Sequence, residues 1–129
     1  MNLNHDIIRD LLIEIEQKGV SPHEPIEHLK HPKLTDKELS YYLWQLKDGG
    51  LIVATDDGPF IDDDYTRYWA QCLTFKGHEF VGASRDSLVW KNAKDAARRS
   101  GTASLDLLGK LLLAAAKQKI QEHTGIDLD

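Results

Sequence analysis

Asp56, Asp57, Asp62, Asp63 and Asp64 put five carboxylates into one short stretch that also holds Gly58 and Pro59. Clustered carboxylates suit a hard divalent cation, yet the alternating oxygen ligands and closing Glu of an EF-hand loop are missing. The expectation is a solvated loop, or a contact for a basic partner, with no metal. A second group is His23, Glu24, Glu27, His28 and His31. On a helix, Glu24 with His28 and Glu27 with His31 would each lie one turn apart, the spacing of a weak zinc or nickel site. Pro25 and Pro32 oppose that helix, and no His-Glu-x-x-His occurs. A polar surface cluster is expected instead. Cys72 with His78 and Glu79 invites a nucleophile reading, but no third residue orients the pair. No catalytic residue and no cofactor is assigned, and Cys72 reads as a small buried hydrophobe within a strand.

Residues 34–53 position much of this chemistry. Thr35 and Glu38 have the spacing of a capping box. Leu39, Leu43 and Leu46 recur on one helical face with Tyr42 alongside, and Gly49-Gly50 ends the helix before a strand starting Leu51-Ile52-Val53. The exposed face of the 35–48 helix is expected to carry Ser40, Tyr41, Trp44 and Gln45. A helix running through Gly-Gly-Leu-Ile into a strand has the form of the third helix and first wing strand of a winged helix. The 55–66 stretch would be the wing between strands at 51–54 and 68–73.

Around that centre, residues 3–17 read as a helix with an Ile7, Ile8, Leu11, Leu12, Ile15 stripe, capped by Asn4 and stopped at Gly19. Residues 20–33 fit one short helix near 26–30 or an irregular strand. Thr74 caps a helix over 75–84 that continues or kinks into 85–99. Residues 100–104 form a break, and a last helix runs from about Leu105 to Glu122, ending at Thr124-Gly125. Leucine and alanine cover much of that last helix, more than one buried stripe requires. Leu107, Leu108, Leu111, Leu112 and Ala115 are therefore expected to form a self-complementary dimer interface. The fold expected is mainly α with a small β-hairpin wing. It is one domain over 1–129, with a winged-helix-like core at 1–84 and a C-terminal helical extension at 85–122.

The run Leu73-Thr-Phe-Lys-Gly-His-Glu-Phe80, followed by Arg85-Asp86, Trp90-Lys91 and Lys94, resembles a known pattern. So do Leu12-Ile-Glu-Ile-Glu16 and Tyr42-Leu-Trp-Gln-Leu-Lys-Asp-Gly-Gly-Leu-Ile52. Together they resemble the bacterial and phage family called domain of unknown function 2513. The resemblance covers nearly the whole chain, including Gly101-Thr-Ala-Ser-Leu105, and departs mainly at Tyr41-Tyr42, where a histidine is often found. It implies a winged-helix-like fold and frequent prophage residence. It implies no activity, substrate or catalytic residue.

Charge orders the functional readings. The formal net charge is -5. Residues 1–84 carry 8 Lys+Arg against 15 Asp+Glu, and residues 85–129 carry 8 against 6. Lys37 and Lys47 on the 35–48 helix are offset by Asp36, Glu38 and Asp48, and no arginine is there to grip guanine or phosphate. The acidic stretch, relieved only by Arg67, would repel a phosphate backbone. The basic residues Arg85, Lys91, Lys94, Arg98 and Arg99, followed by Lys110, Lys117 and Lys119, lie on the C-terminal helices. A non-enzymatic module using protein contacts and self-association is therefore expected, acting through Tyr41, Trp44, Gln45, the five aspartates and Arg67. A sequence-specific DNA-binding regulator is the alternative, and a weak metal-dependent enzyme the second. The N-terminus lacks a signal-peptide pattern, and the apolar run 111–116 is too short to span a bilayer. Cytoplasmic residence is expected.

Overall fold

A computed structural model describes residues 2–58, 65–99 and 104–125. Among them are five helices and one antiparallel two-stranded sheet, so the chain is mainly helical with a small hairpin. The chain divides into two compact units, Met1–His78 and Glu79–Asp129. That division falls six residues before the 84/85 boundary suggested by the sequence, inside a helix.

In the first unit, α1 (His5–Lys18) begins at Asn4, whose side-chain oxygen accepts from the Asp6 and Ile7 N–H groups at 2.9 and 3.3 Å. Its Ile7, Ile8, Leu11, Leu12 and Ile15 stripe is buried, because apolar residues three and four apart face one way on a helix. Gly19 ends the helix with φ -81, so it is not a left-handed cap. Its small size serves a different need. A Cβ there would lie 2.6 Å from the Gln71 carbonyl oxygen, so the end of α1 presses directly on a strand.

Residues 20–34 form turns, and neither the short helix nor the irregular strand suggested by the sequence is present. Pro25 and Pro32 bracket the stretch, and His28 adopts φ 60, which no helix accommodates. Ile26 donates its N–H to the Ala70 carbonyl at 2.8 Å, and Ile26 and Leu29 are buried. The helix over 35–48 is therefore the second of this unit rather than the third.

That helix, α2 (Asp36–Asp48), has the expected capping box. Glu38 N–H donates to Thr35 Oγ1 at 3.2 Å, and Thr35 N–H donates to Glu38 Oε1 at 3.0 Å. The bonds from Thr35, first its backbone N–H and then its hydroxyl, hold the Glu38 carboxyl below the usual carboxylate range. The stabilisation this brings is present above the unfolded-state pKa and fades as pH falls through the folded one. At the other end, Gly50 has φ 76 and donates to Lys47 O, while Leu51 N–H donates to Leu46 O, both at 2.9 Å. This is the Schellman closure, which satisfies carbonyls the helix leaves unpaired.

β1 (Ile52–Asp56) pairs with β2 (Tyr68–Leu73) in antiparallel register, from Ile52 opposite Leu73 to Asp56 opposite Tyr68. The register shifts after Val53, leaving Gln71 without an opposite residue. Its side chain is buried, and the amide orientation that pairs every atom donates to Val53 O and Trp69 O and accepts from Thr55 Oγ1. Thr74 then joins sheet to helix. Its N–H donates to Leu51 O at 3.0 Å, its hydroxyl donates to Gly50 O at 2.6 Å, and Gly77 N–H donates to the same hydroxyl oxygen at 3.1 Å. The helix so started, α3 (Phe75–Ser84), contains the boundary between units.

In the second unit, residues 85 and 86 break the chain between α3 and α4 (Ser87–Arg99), where the sequence suggests continuation or a kink. Asp86 is the reason. Its Oδ1 accepts from Leu88 and Val89 N–H at 2.9 and 3.0 Å, and its other oxygen pairs with Lys119. A carboxylate capping a new helix start favours a fresh nucleus over continuation. Val89, Trp90, Ala93 and Ala97 are buried on α4, and Phe80 meets the Trp90 ring edge-on. α5 (Leu105–Thr124) starts at its Ser104 cap, packs on α4, and ends at Gly125 with φ 70. The rest of the 100–104 break lies outside the described residues.

The Thr74 junction can be tested through Gly77. A Cβ there would lie 2.1 Å from the Leu51 carbonyl oxygen, a backbone atom that cannot swing aside. Gly77→Ala should lower stability by about 1–3 kcal/mol, the usual cost of overpacking, read from the urea unfolding midpoint.

Candidate functional site

α2 turns 100° per residue, so its side chains separate into distinct rows. Asp36, Leu39, Ser40 and Leu43 form the row that lines a concavity against β2. Lys47 continues it, with Nζ 5.9 Å from the centre of the Tyr68 ring. Ser40 belongs to this inner row. It is buried, and its hydroxyl oxygen accepts the Tyr68 N–H at 3.2 Å. The sequence-based placement of Ser40 on the exposed face is thus corrected: a strand N–H without a strand partner recruits it.

Tyr41, Trp44 and Gln45 lie on a different row and do not line that concavity. Tyr41 and Trp44 form an edge-to-face pair with ring centres 5.7 Å apart, and Trp44 is 43% exposed. Tyr41 and Gln45 are half-buried. The third aromatic neighbour, Tyr42, points into the core, where its hydroxyl accepts the Asn4 N–H at 2.8 Å.

At the hairpin end, Asp56 Oδ1 accepts the Gly58 N–H at 2.9 Å. Asp57 accepts the indole N–H of Trp69 at 2.6 Å, and its own N–H donates to Arg67 O at 3.2 Å. The Arg67 guanidinium lies 5.9 Å from the centre of the Trp69 ring. Two residues expected at a binding surface, Asp57 and Arg67, therefore meet on Trp69. Asp62, Asp63 and Asp64 lie outside the described residues.

Trp69 borders two concavities. The first, about 210 Å³, has Ile26, Leu29, Leu39, Leu43 and Ala70 as its apolar lining, with His28, Lys30, Asp36, Arg67 and Tyr68 among its polar and aromatic neighbours. The second, about 520 Å³, is lined by Pro25, Glu27, His28, Thr55, Asp57 and Trp69. Sequence reading missed this groove and Trp69 itself. The available signal was the alternation of Arg67 and Trp69 along a hairpin strand, opposite the face of Ala70.

The other candidates separate in space. His31 Nδ1 accepts the Lys33 N–H at 3.1 Å, so its Nε2 carries the hydrogen that bonds Asp10 Oδ2 at 3.0 Å. Among the described residues no three His, Cys, Asp or Glu side chains are grouped to hold a metal. Cys72 is half-buried in β2 and in no disulfide, while His78 is exposed with Nδ1 3.9 Å from Glu16 Oε2.

On α5, Leu108 and Leu112 are wholly buried within the single chain. They face the chain's own core, because residues four apart share the stripe that packs on α4, and they are not available to a partner. Leu107, Leu111 and Ala115 are half-buried, and the exposed large apolar side chains of α5 are Leu113 at 38% and Ile120 at 45%. Several basic side chains here are already engaged. Lys94 lies over Trp90, Arg98 is near Asp95, Lys110 near Asp106, and Lys119 on Asp86.

A family model described as "Hypothetical protein (DUF2513)" matches residues 2–103. No curated protein matches, and no solved structure does.

The corrected role of Ser40 has a consequence for stability. Ser40→Ala should strand the Tyr68 N–H and cost about 1–3 kcal/mol, the range for an unsatisfied buried donor, whereas a surface serine would cost almost nothing. Chemical unfolding of the variant measures which holds.

Proposed function

We propose that this chain, which belongs to the DUF2513 family, is a non-enzymatic, winged-helix-like binding module that works through protein contacts and self-association. We place it in the cytoplasm, in a phage or prophage setting. The observation that carries the reading is the Tyr41–Trp44 pair on the outer row of α2, with Trp44 exposed. Tyrosine and tryptophan are the side chains that most often anchor protein interfaces, because each buries a large rigid area with few rotamers to freeze. No helix among the described residues is long and apolar enough to cross a membrane.

Electrostatics favours a protein over a nucleic acid on this face. Lys47 and Arg67 both lie against aromatic rings, and Ser40 is spent on the Tyr68 N–H. A duplex would need cations directed at phosphate. The DNA-binding reading is therefore the weaker one, and a metal-dependent enzyme weaker still. For self-association, the exposed Leu113 and Ile120, seven residues apart on one face of α5, replace Leu108 and Leu112 as the centre of the interface.

Three experiments test the reading. With a partner captured from host lysate, Trp44→Ala should weaken binding by about 2 kcal/mol or more, the scale of an interface anchor, at an unchanged melting temperature. Steep loss of binding to the encoding operon's promoter with added salt, in a mobility-shift assay, would instead favour DNA. Sedimentation should show a dimer for the native chain and a monomer when Leu113→Lys and Ile120→Lys are combined. A native monomer would remove self-association from the proposal.

A further inference from the structure

The groove across Trp69 has an uneven charge distribution that selects its occupant. Among the described residues, its first concavity has an apolar lining built from Leu29, Leu39 and Leu43, with Lys30 and Arg67 against the carboxylate of Asp36. Its second concavity holds Glu27 and Asp57 and, among the described residues, is lined by no lysine or arginine. Trp69 stands beside both, and the bond from its indole N–H to Asp57 fixes the ring. A fixed aromatic surface binds without first freezing a rotamer.

We infer that this groove docks a short peptide segment of a partner protein, carrying one aliphatic side chain between a basic residue and an acidic one. The aliphatic side chain enters the first concavity, whose volume of about 210 Å³ is below the roughly 300 Å³ at which small-molecule sites begin. The acidic residue meets Lys30 at that end, and the basic residue meets Glu27 at the other. Burying the aliphatic group supplies most of the affinity, and the two exposed ion pairs set which peptide is accepted. This site is separate from the Tyr41–Trp44 pair and does not rest on that reading.

The test uses the full chain and four fluorescein-labelled peptides read by anisotropy. The parent is Gly-Gly-Lys-Gly-Leu-Asp-amide, with fluorescein on its N-terminal amine. Replacing its Leu by Ser should weaken binding about tenfold or more. Placing Lys at both charged positions, or Asp at both, should each weaken it about fivefold. Lys30 is exposed, so Lys30→Glu should leave folding intact by circular dichroism. In that variant the peptide with two lysines should become the tighter ligand. Equal binding of all four peptides, no binding by the folded chain, or an unchanged preference in Lys30→Glu would each overturn the inference.

Discussion

The peptide unit of Leu51 is the point on which the first unit depends. Its N–H closes α2 onto Leu46 O, and its carbonyl accepts the N–H of Thr74, which begins α3. Between those two bonds the chain runs out along β1 and back along β2. One residue thus ties a helix end, both strands and the next helix start to a common origin. The requirement is steric as well as polar, since Gly77 must lie against the Leu51 carbonyl where any side chain would collide. The Gly-Gly-Leu and Leu-Thr-x-x-Gly runs of the sequence are the two sides of this junction. Their residues meet one another rather than a ligand: Lys76 Nζ, for example, donates to Gly49 O at 3.3 Å.

A second constraint acts on the hairpin. A two-stranded sheet leaves backbone groups unpaired along its edges, and each must find a partner or water. β2 meets that demand with Ile26 N–H at Ala70 O and Ser40 Oγ at Tyr68 N–H. The irregular 20–34 segment is thereby drawn against the sheet without forming a strand. The same docking creates the groove beside Trp69, so a structural need of the sheet edge also shapes a concave surface.

Aromatic rings near the hairpin also change what its charges can do. Lys47 rests over Tyr68, Arg67 over Trp69, and Asp57 holds the Trp69 N–H. Such cation–ring contacts orient the charged groups against the hairpin and are worth on the order of 0.5–1 kcal/mol each at exposed sites.

Local features were legible from the sequence because they depend on neighbours in the chain. The Asn4 cap, the Thr35–Glu38 capping box, the Gly50 and Gly125 stops and the α1 stripe all involve residues within a few positions of one another. The family match covers residues 2–103. Features that depend on distant partners were not legible. Ser40 became an inner residue because Tyr68, 28 positions away, needed an acceptor. Leu108 and Leu112 turned inward because α4 covers them, and Asp86 gained Lys119 only when α5 was in place. Helical periodicity says that a face is apolar. It does not say which element will cover that face, since packing is decided by contacts far apart in sequence, and only the tertiary structure supplies those.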